Sequence, residues 1–381
     1  VTGPGDGSPA ADGADDPESG GPVSPSPRRP WWRDVRAFDI EVATRAAIAA
    51  VVPLAILVAI GHVELAPYAA FGAMTAIFGR GEAYRGRIRT ASVAAVALVA
   101  SVGLGVAVAV ASGDPNGGAA ADAMSVALTA AALVIVLVAG VLTVNVARLG
   151  PPSPLFFVFA VLVCASVPVP DGEGWLRVGV AAASAAFAWL LSLSGWLLRR
   201  VARRPEASAS PFKPLRPAAP VRWDALHDPA VWRTIAQHVV AGLVAGGIAL
   251  ALGIGHPYWA VVSVAAVIPP AGAAHSVARA WHRVFGTLAG VVVTWLVLLP
   301  DPPVWVLVLI VAVAQFGAEV FVGRHYGVAL VFITPLALVV AHLGQPVPVD
   351  ALLVDRVVET VLGCAVAILA VLTARALTRR A

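Results

Sequence analysis

Residues 65–89 read LAPYAAFGAMTAIFGRGEAYRGRIR, a short apolar run that closes on four arginines, Arg80, Arg85, Arg87 and Arg89. As an α-helix, Leu65 to Phe78 would reach only about 21 Å, against a hydrocarbon core of about 30 Å. A re-entrant loop is the competing reading. If the run did not cross, however, its four arginines would stand on the opposite side from every other basic station of the chain. The positive-inside rule therefore favours a crossing.

Working outward, apolar segments fall at 43–60, 65–79, 88–111, 123–147, 153–169 and 175–198, and again at 234–253, 257–273, 283–300, 303–321, 326–343 and 352–375. With twelve crossings, Arg28, Arg29, Arg33, Arg36, the 80–89 group, Arg148, Arg199, Arg200, Arg203, Arg204, Arg279, Arg283, Arg324, Arg375, Arg379 and Arg380 share one side. The other side receives Asp114, Asp122, Asp171, Glu173, Asp301 and Asp350. The reading is an all-α integral membrane protein with both termini and the central linker cytoplasmic, placed in a bacterial cell membrane.

Composition agrees. Of 381 residues, 59% are hydrophobic and 13% charged, with mean hydropathy +0.85; a soluble domain carries roughly 25% charged residues. The net charge of +4 comes from arginines at segment ends, with Lys213 the single lysine. Membrane topology accounts for it without a nucleic-acid partner. Cys164 and Cys364 lie inside apolar segments with no CxxC or Cys/His neighbour, so they read as buried small hydrophobes, and no metal or other cofactor is expected.

Residues 1–30 are rich in Pro, Gly, Ser and Asp and are expected to be disordered, without the apolar core of a secretory signal. From Trp31 and Trp32 the chain reads as an interfacial lead-in to the first half, 31–198. A polar, Pro-rich linker follows at 199–230, then the second half at 231–381.

The halves correspond. Pro67-Tyr68 opens the second segment and Pro257-Tyr258 the eighth. RIRTASVAAVAL in one half answers RVFGTLAGVVVTWL in the other, and VPVPDGEGWLRVGV answers QPVPVDALLVDRVVET, which sets Arg177 opposite Arg356. With an even number of crossings in each half, the two copies would be parallel-related six-helix repeats.

Three stretches of the second half, HPYWAVVSVAAVIPPAG…ARAWHRVFGTLAG at 256–290, RHYGVALVFITPLAL at 324–338 and DRVVETVLGCAVAIL at 355–369, carry a resemblance to the fusaric acid resistance and aromatic acid exporter family. The likeness covers residues 230–380, and reaches the first half only through the repeat. Larger relatives carry a soluble domain after each bundle, so this chain resembles a minimal, transmembrane-only form. The resemblance implies export of small organic, often aromatic, acids.

Candidate residues follow from position. Segments 2 and 8 are short and Pro-interrupted at matching places, a pointer to a transporter's binding site; Tyr68, Tyr258 and Trp259 would contact substrate there or sit in an aromatic belt. Pro269-Pro270 removes two backbone donors. Arg283 opens segment 9 as an anion ligand or a topological anchor, and Gly286 and Gly290 after it form a small-residue face for close helix packing. Gln315 and Glu319 lie one turn apart on segment 10, where Glu319 pairs with Arg324 or His325, or carries a proton; Asn145 and Arg148 hold the matching station. Asp355, Arg356 and Glu359 open segment 12, read first as an ion pair and alternatively as an anion-attracting gate, with Arg177 its counterpart. Thr334-Pro335, a further substrate-path candidate, either exposes a backbone carbonyl at a kink of segment 11 or simply bends the helix.

No Walker loop, Ser/His/Asp set, HExxH or catalytic carboxylate pair is present, so no enzyme is expected. The expectation is a secondary exporter of small organic anions working in the lipid bilayer, with Glu319, His325 or Glu359 as proton carriers. An anion channel and a non-transporting scaffold for envelope assembly are the alternatives, and a homo-oligomer is compatible with either.

Overall fold

A computed structural model describes residues 37–113, 118–201, 217–268, 273–345 and 348–378. The N-terminal tail, Trp31-Trp32, Lys213 with most of the linker, Asp114, Pro269-Pro270, and Arg379 and Arg380 lie outside the described residues. The described residues form twelve α-helices: α1 (Ala37–Ala59), α2 (Ala66–Ala73), α3 (Tyr84–Ala111), α4 (Gly118–Val146), α5 (Leu155–Ser166), α6 (Gly174–Val201), α7 (Pro229–Ala251), α8 (Tyr258–Val267), α9 (Ala273–Leu298), α10 (Val304–Phe321), α11 (Tyr326–Gly344) and α12 (Val349–Thr378). Each expected apolar segment overlaps one of them. Nine are long and apolar enough to cross a membrane, and the chain is a multi-pass membrane protein.

Three segments are short: Val63–Ile77, Leu155–Ser166 and Tyr258–Val267. The shortness of the second and eighth was legible in the sequence, but that of the fifth was not. Segment 153–169 has apolar residues throughout, yet its helix stops at twelve residues, bounded by Pro154 at the N-cap and extended backbone at Val167. The second segment is not one α-helix. It is α2 flanked by 3-10 turns at Val63–Leu65 and Met74–Ile77. Tighter 3-10 geometry lengthens it per residue. It still runs from one end of α6 to the other: Ser184 Oγ donates to the Ala69 carbonyl at 2.7 Å and Arg177 to the Tyr68 hydroxyl at 2.8 Å. At the far end Arg87 donates to both the Gly79 and Ser192 carbonyls. Arg177 to Ser192 is about 22 Å of helix rise.

Packing explains how short helices are tolerated. All ten residues of α8 are buried, as are seven of the eight in α2. They are enclosed by other helices rather than by lipid, so apolarity on every side is expected of them. An aromatic chain joins the three: Phe71 of α2 meets Phe159 of α5 at 5.1 Å between ring centroids, and Phe159 meets Trp259 of α8 at 4.9 Å. Around them α3 packs on α5 and α6, and α2 on α6; likewise α9 packs on α11 and α12, and α8 on α12. Between the halves, α1 packs on α10, α4 on α7, α5 on α8 and α2 on α11.

Close approach relies on missing side chains. A Cβ at Gly286 would overlap the Gly327 carbonyl, and one at Gly290 would lie 2.6 Å from Thr334 Cβ, so the small face of α9 is the one that meets α11. A Cβ at Gly363 of α12 would overlap the Ala260 carbonyl of α8.

The loops are tied as well. α1 begins at Ala37, so the expected lead-in and first span share one helix from that residue on. In the linker, Arg222 N–H donates to the Val146 carbonyl at 2.8 Å, and Arg89 donates to the Ala219 carbonyl. Asp228 caps α7 by accepting the Ala230 N–H at 2.8 Å. That amide first, and the Arg222 guanidinium second, hold its carboxyl below the ordinary range. The cap is therefore intact at neutral pH and is lost as pH falls through that lowered value.

Gly363→Ala should lower the thermal midpoint in detergent, because overpacking against backbone typically costs about 1–3 kcal/mol. Gly179→Ala, with nothing within 4 Å of the added atom, should leave the midpoint unchanged.

Candidate functional site

Most of the buried charge in the second half gathers where α8, α9, α11 and α12 meet. Arg283 enters from the arginine-rich end on α9, and Arg356 enters from the opposite end on the antiparallel α12. Both are buried, at 3% and 1% exposure. Cys364 Sγ, 3.9 Å from the Ala280 carbonyl, fixes the register of the two helices. Arg283 and Glu359 both lie within electrostatic reach of Arg356.

Each group has a defined partner or a defined lack of one. Arg283 Nη1 donates to the Tyr326 hydroxyl at 3.1 Å. The Arg279 guanidinium stacks on the Tyr326 ring at 4.2 Å. Arg356 lies over the Trp259 ring at 3.9 Å, a cation–π contact that leaves its Nε and Nη1 without a hydrogen-bond partner. Arg283 Nε, Arg356 Nε and Nη1, the Trp259 indole N–H and the Thr287 hydroxyl are buried without a hydrogen-bond partner. Glu359 is fully buried, and its carboxylate faces the backbone amides of His256 and Trp259 at the start of α8. Neither of its oxygens completes a hydrogen bond. Bare donors in hydrocarbon are expensive, and such groups ordinarily find partners. Here they converge.

In the first half Arg45 is buried with Nε and Nη2 unpartnered, whereas Arg87 and Arg177 are more fully bonded. Arg87 is saturated by four carbonyls: Gly79, Ser192, Arg80 and Glu82, at 3.1–3.3 Å. Arg177 donates to the Tyr68 hydroxyl at 2.8 Å and to Glu173 at 3.4 Å. Its one bare atom is Nε. These side chains hold helices together and have little left for a ligand.

Residues 243–370 match the family described as fusaric acid resistance protein-like. That stretch, about a third of the chain, is similar to this family. An uncharacterized protein of Synechocystis sp. is 31% identical over 131 residues, which is 34% of this chain and 17% of that protein. The chain thus spans under a fifth of that relative's length. No solved structure matches. Arg283, Tyr326, Arg356, Glu359, Tyr258 and Trp259 all fall within the fusaric acid resistance protein-like region.

Of the residues singled out in the sequence, the structure brings together Tyr258, Trp259, Arg283, Arg356 and Glu359. Thr334 lies against Gly290, its hydroxyl buried and unpartnered. Tyr68 and Arg177 form their own pair in the first half. Two expected pairings are corrected. Arg356 is not ion-paired with its flanking acids, because Asp355 turns away to His256, with Nδ1 to Oδ2 at 2.8 Å. Glu319 pairs with neither Arg324 nor His325. Its partner is Arg80 from the first half, at 3.2 Å, and Arg80 also donates to the Glu319 carbonyl at 2.8 Å. Arg324 pairs with Asp39 of α1, and His325 is the N-cap residue of α11. Glu319 and Arg324 thus tie α10 to the other half at the arginine-rich end.

Tyr326 was missed although it stands inside the RHYG stretch, since nothing in its spacing marks a hydroxyl aimed at Arg283. A separate cavity of about 280 Å³ lies at the α4–α7 junction, lined by Asn145, Arg148, Arg222, Thr234, His238 and Ile268 among others. It does not include the arginine cluster.

Breaking the buried Arg80–Glu319 pair by Glu319→Ala should destabilise the folded protein by about 3–5 kcal/mol, because Arg80 loses its counter-charge. In a double-mutant cycle read by thermal melting, adding Arg80→Ala should then cost little more.

Proposed function

We propose that this chain is a secondary transporter that exports small organic anions, aromatic carboxylates among them, across the cell membrane. The observation that carries the reading is the pair Arg283 and Arg356, buried in the fusaric acid resistance protein-like half with N–H donors unused. Guanidinium donors in a fixed fork match a carboxylate's two oxygens. The aromatic walls Trp259 and Tyr258 suit the body of an aromatic acid. The family likeness supports a transport role.

On this reading the halves are parallel-related repeats. The paired packing of α1 with α10 and α4 with α7, and of α2 with α11 and α5 with α8, is what a two-fold axis along the membrane normal would produce. The second of these repeats holds the substrate site. The termini lie on the arginine-rich side, which the charge rule makes cytoplasmic.

Purified protein in liposomes should then give saturable benzoate flux. Arg356→Gln should reduce that flux about tenfold or more, the loss of a charge-assisted hydrogen bond, while the protein still elutes as a folded species. Wild-type liposomes with no benzoate flux above protein-free controls would overturn the reading, as would full flux in Arg356→Gln.

A further inference from the structure

The two halves meet twice near the arginine-rich end. Where α1 packs on α10, the contact is closed by charge, Arg80 to Glu319 and Arg324 to Asp39. Where α4 packs on α7, it is left open as the cavity of about 280 Å³. That volume is at the small end of ligand pockets. Val141 and Val144 of α4, Pro154 before α5 and Ile268 after α8 give the cavity apolar walls. We propose that it binds a small hydroxy acid, with the carboxylate held by Arg148 and the hydroxyl by His238. The occupant touches both halves, and the proposal stands apart from the transport reading above.

Arg148 is held in a backbone conformation that the fold does not require of an arginine. α1, α4 and α7 end alike: His62 N–H donates to the Leu57 carbonyl, Leu149 to Val144 and Ile254 to Ala249, at 2.9–3.1 Å. Such an ending puts the residue before the donor in the left-handed region, where glycine fits without strain. The chain supplies Gly61 (φ 79°) and Gly253 (φ 66°) at two of these ends, and Arg148 (φ 53°) at the third. A basic anchor for topology could stand at a neighbouring position without that steric cost. Non-glycine residues held in this region cluster at functional sites. Here the side chain lines the cavity and is exposed at its rim. Arg222 beside it is engaged by Asp224 and Asp228. Arg148 has no acid partner among the described residues.

His238 supplies the second point of attachment. It is 2% exposed, and its Nδ1 lies 2.8 Å from the Thr234 carbonyl one turn back on α7. A carbonyl only accepts, so Nδ1 carries a proton. Nε2, at the outer tip of the ring, is buried without a hydrogen-bond partner. The Ile268 carbonyl stands near the ring but completes no bond to it. In the neutral ring Nε2 accepts, and in the charged ring it donates. A hydroxyl answers either state, because its oxygen accepts and its proton donates. The other polar groups of the wall are already bonded within their own helices. Asn145 Nδ2 donates to the Val141 carbonyl at 2.8 Å, and the Thr234 hydroxyl to the Ala230 carbonyl at 2.9 Å. Arg148 and His238 are thus the groups left to grip a ligand, with apolar surface between them.

The test titrates the purified full chain with ω-hydroxy acids from hydroxybutyrate to hydroxyoctanoate, read by thermal midpoint and by equilibrium dialysis of the labelled acid. One length should bind and raise the midpoint. The unsubstituted acid of that length should bind about tenfold more weakly, having lost one hydrogen bond to a buried group. His238→Leu should erase the difference; the comparison of acids on the unaltered protein serves if that variant does not fold. Arg148→Gly should keep or raise the midpoint of the ligand-free protein, since glycine suits the left-handed turn. The same variant should bind the hydroxy acid at least about tenfold more weakly, for want of the guanidinium. Arg356→Gln should bind it as the wild type does, which separates this cavity from the arginine cluster. The proposal is overturned if no acid of the series binds the wild type, if Arg148→Gly binds fully or melts lower without ligand, or if Arg356→Gln abolishes binding. A preference for the hydroxyl that survives in His238→Leu overturns it as well.

Discussion

A guanidinium carries five N–H donors and stays charged at any accessible pH, so each arginine drawn into the bundle must be answered by something. Much of this fold can be understood as those answers. Arg87 is met by carbonyls that the chain exposes where the second segment ends and turns into α3. Arg177 is met by Tyr68 and Glu173, which pins the start of α6 to α2. Arg80 reaches across to α10, and Arg324 reaches back to α1, so the halves are joined by charge at one end. Arg356 alone among these keeps two buried donors, Nε and Nη1, without a partner. That contrast between similarly buried side chains locates the site more firmly than burial by itself.

Much of the architecture was legible because it depends on local signals. Apolar length marks a helix, so twelve segments and their order could be read from the chain. Close packing of α9 was also visible, since Gly286 and Gly290 are spaced to share a face. What could not be read depends on partners distant in sequence. Glu319 has two basic residues within six positions, and its actual partner is 239 residues away. Arg356 sits between two acids in the sequence, yet Asp355 is taken by His256, 99 residues distant. The break in α5 was hidden for another reason: an apolar run reads alike whether it is helical for twelve residues or for seventeen.

The aromatic chain from Phe71 through Phe159 to Trp259 links three short helices from both halves and ends on the ring beneath Arg356. The site therefore shares its floor with the contact between halves. Displacement of α5 would be felt at Trp259 directly, through packed rings rather than through a flexible loop. Rings in contact transmit shape well because protein interiors are close-packed and have few soft gaps.

Enclosure of the three short helices has a further consequence for life in different membranes. A helix bathed in lipid must tilt, bend or deform its surroundings when the bilayer thickens or thins. The nine long helices face that demand. α2, α5 and α8, shielded by their neighbours, do not. Changes in acyl-chain length or temperature would thus be absorbed by tilting of the outer helices about an inner set of constant length. The spacing between Trp259 and the arginines is set by that inner set, and so by the protein and not by the thickness of the membrane around it.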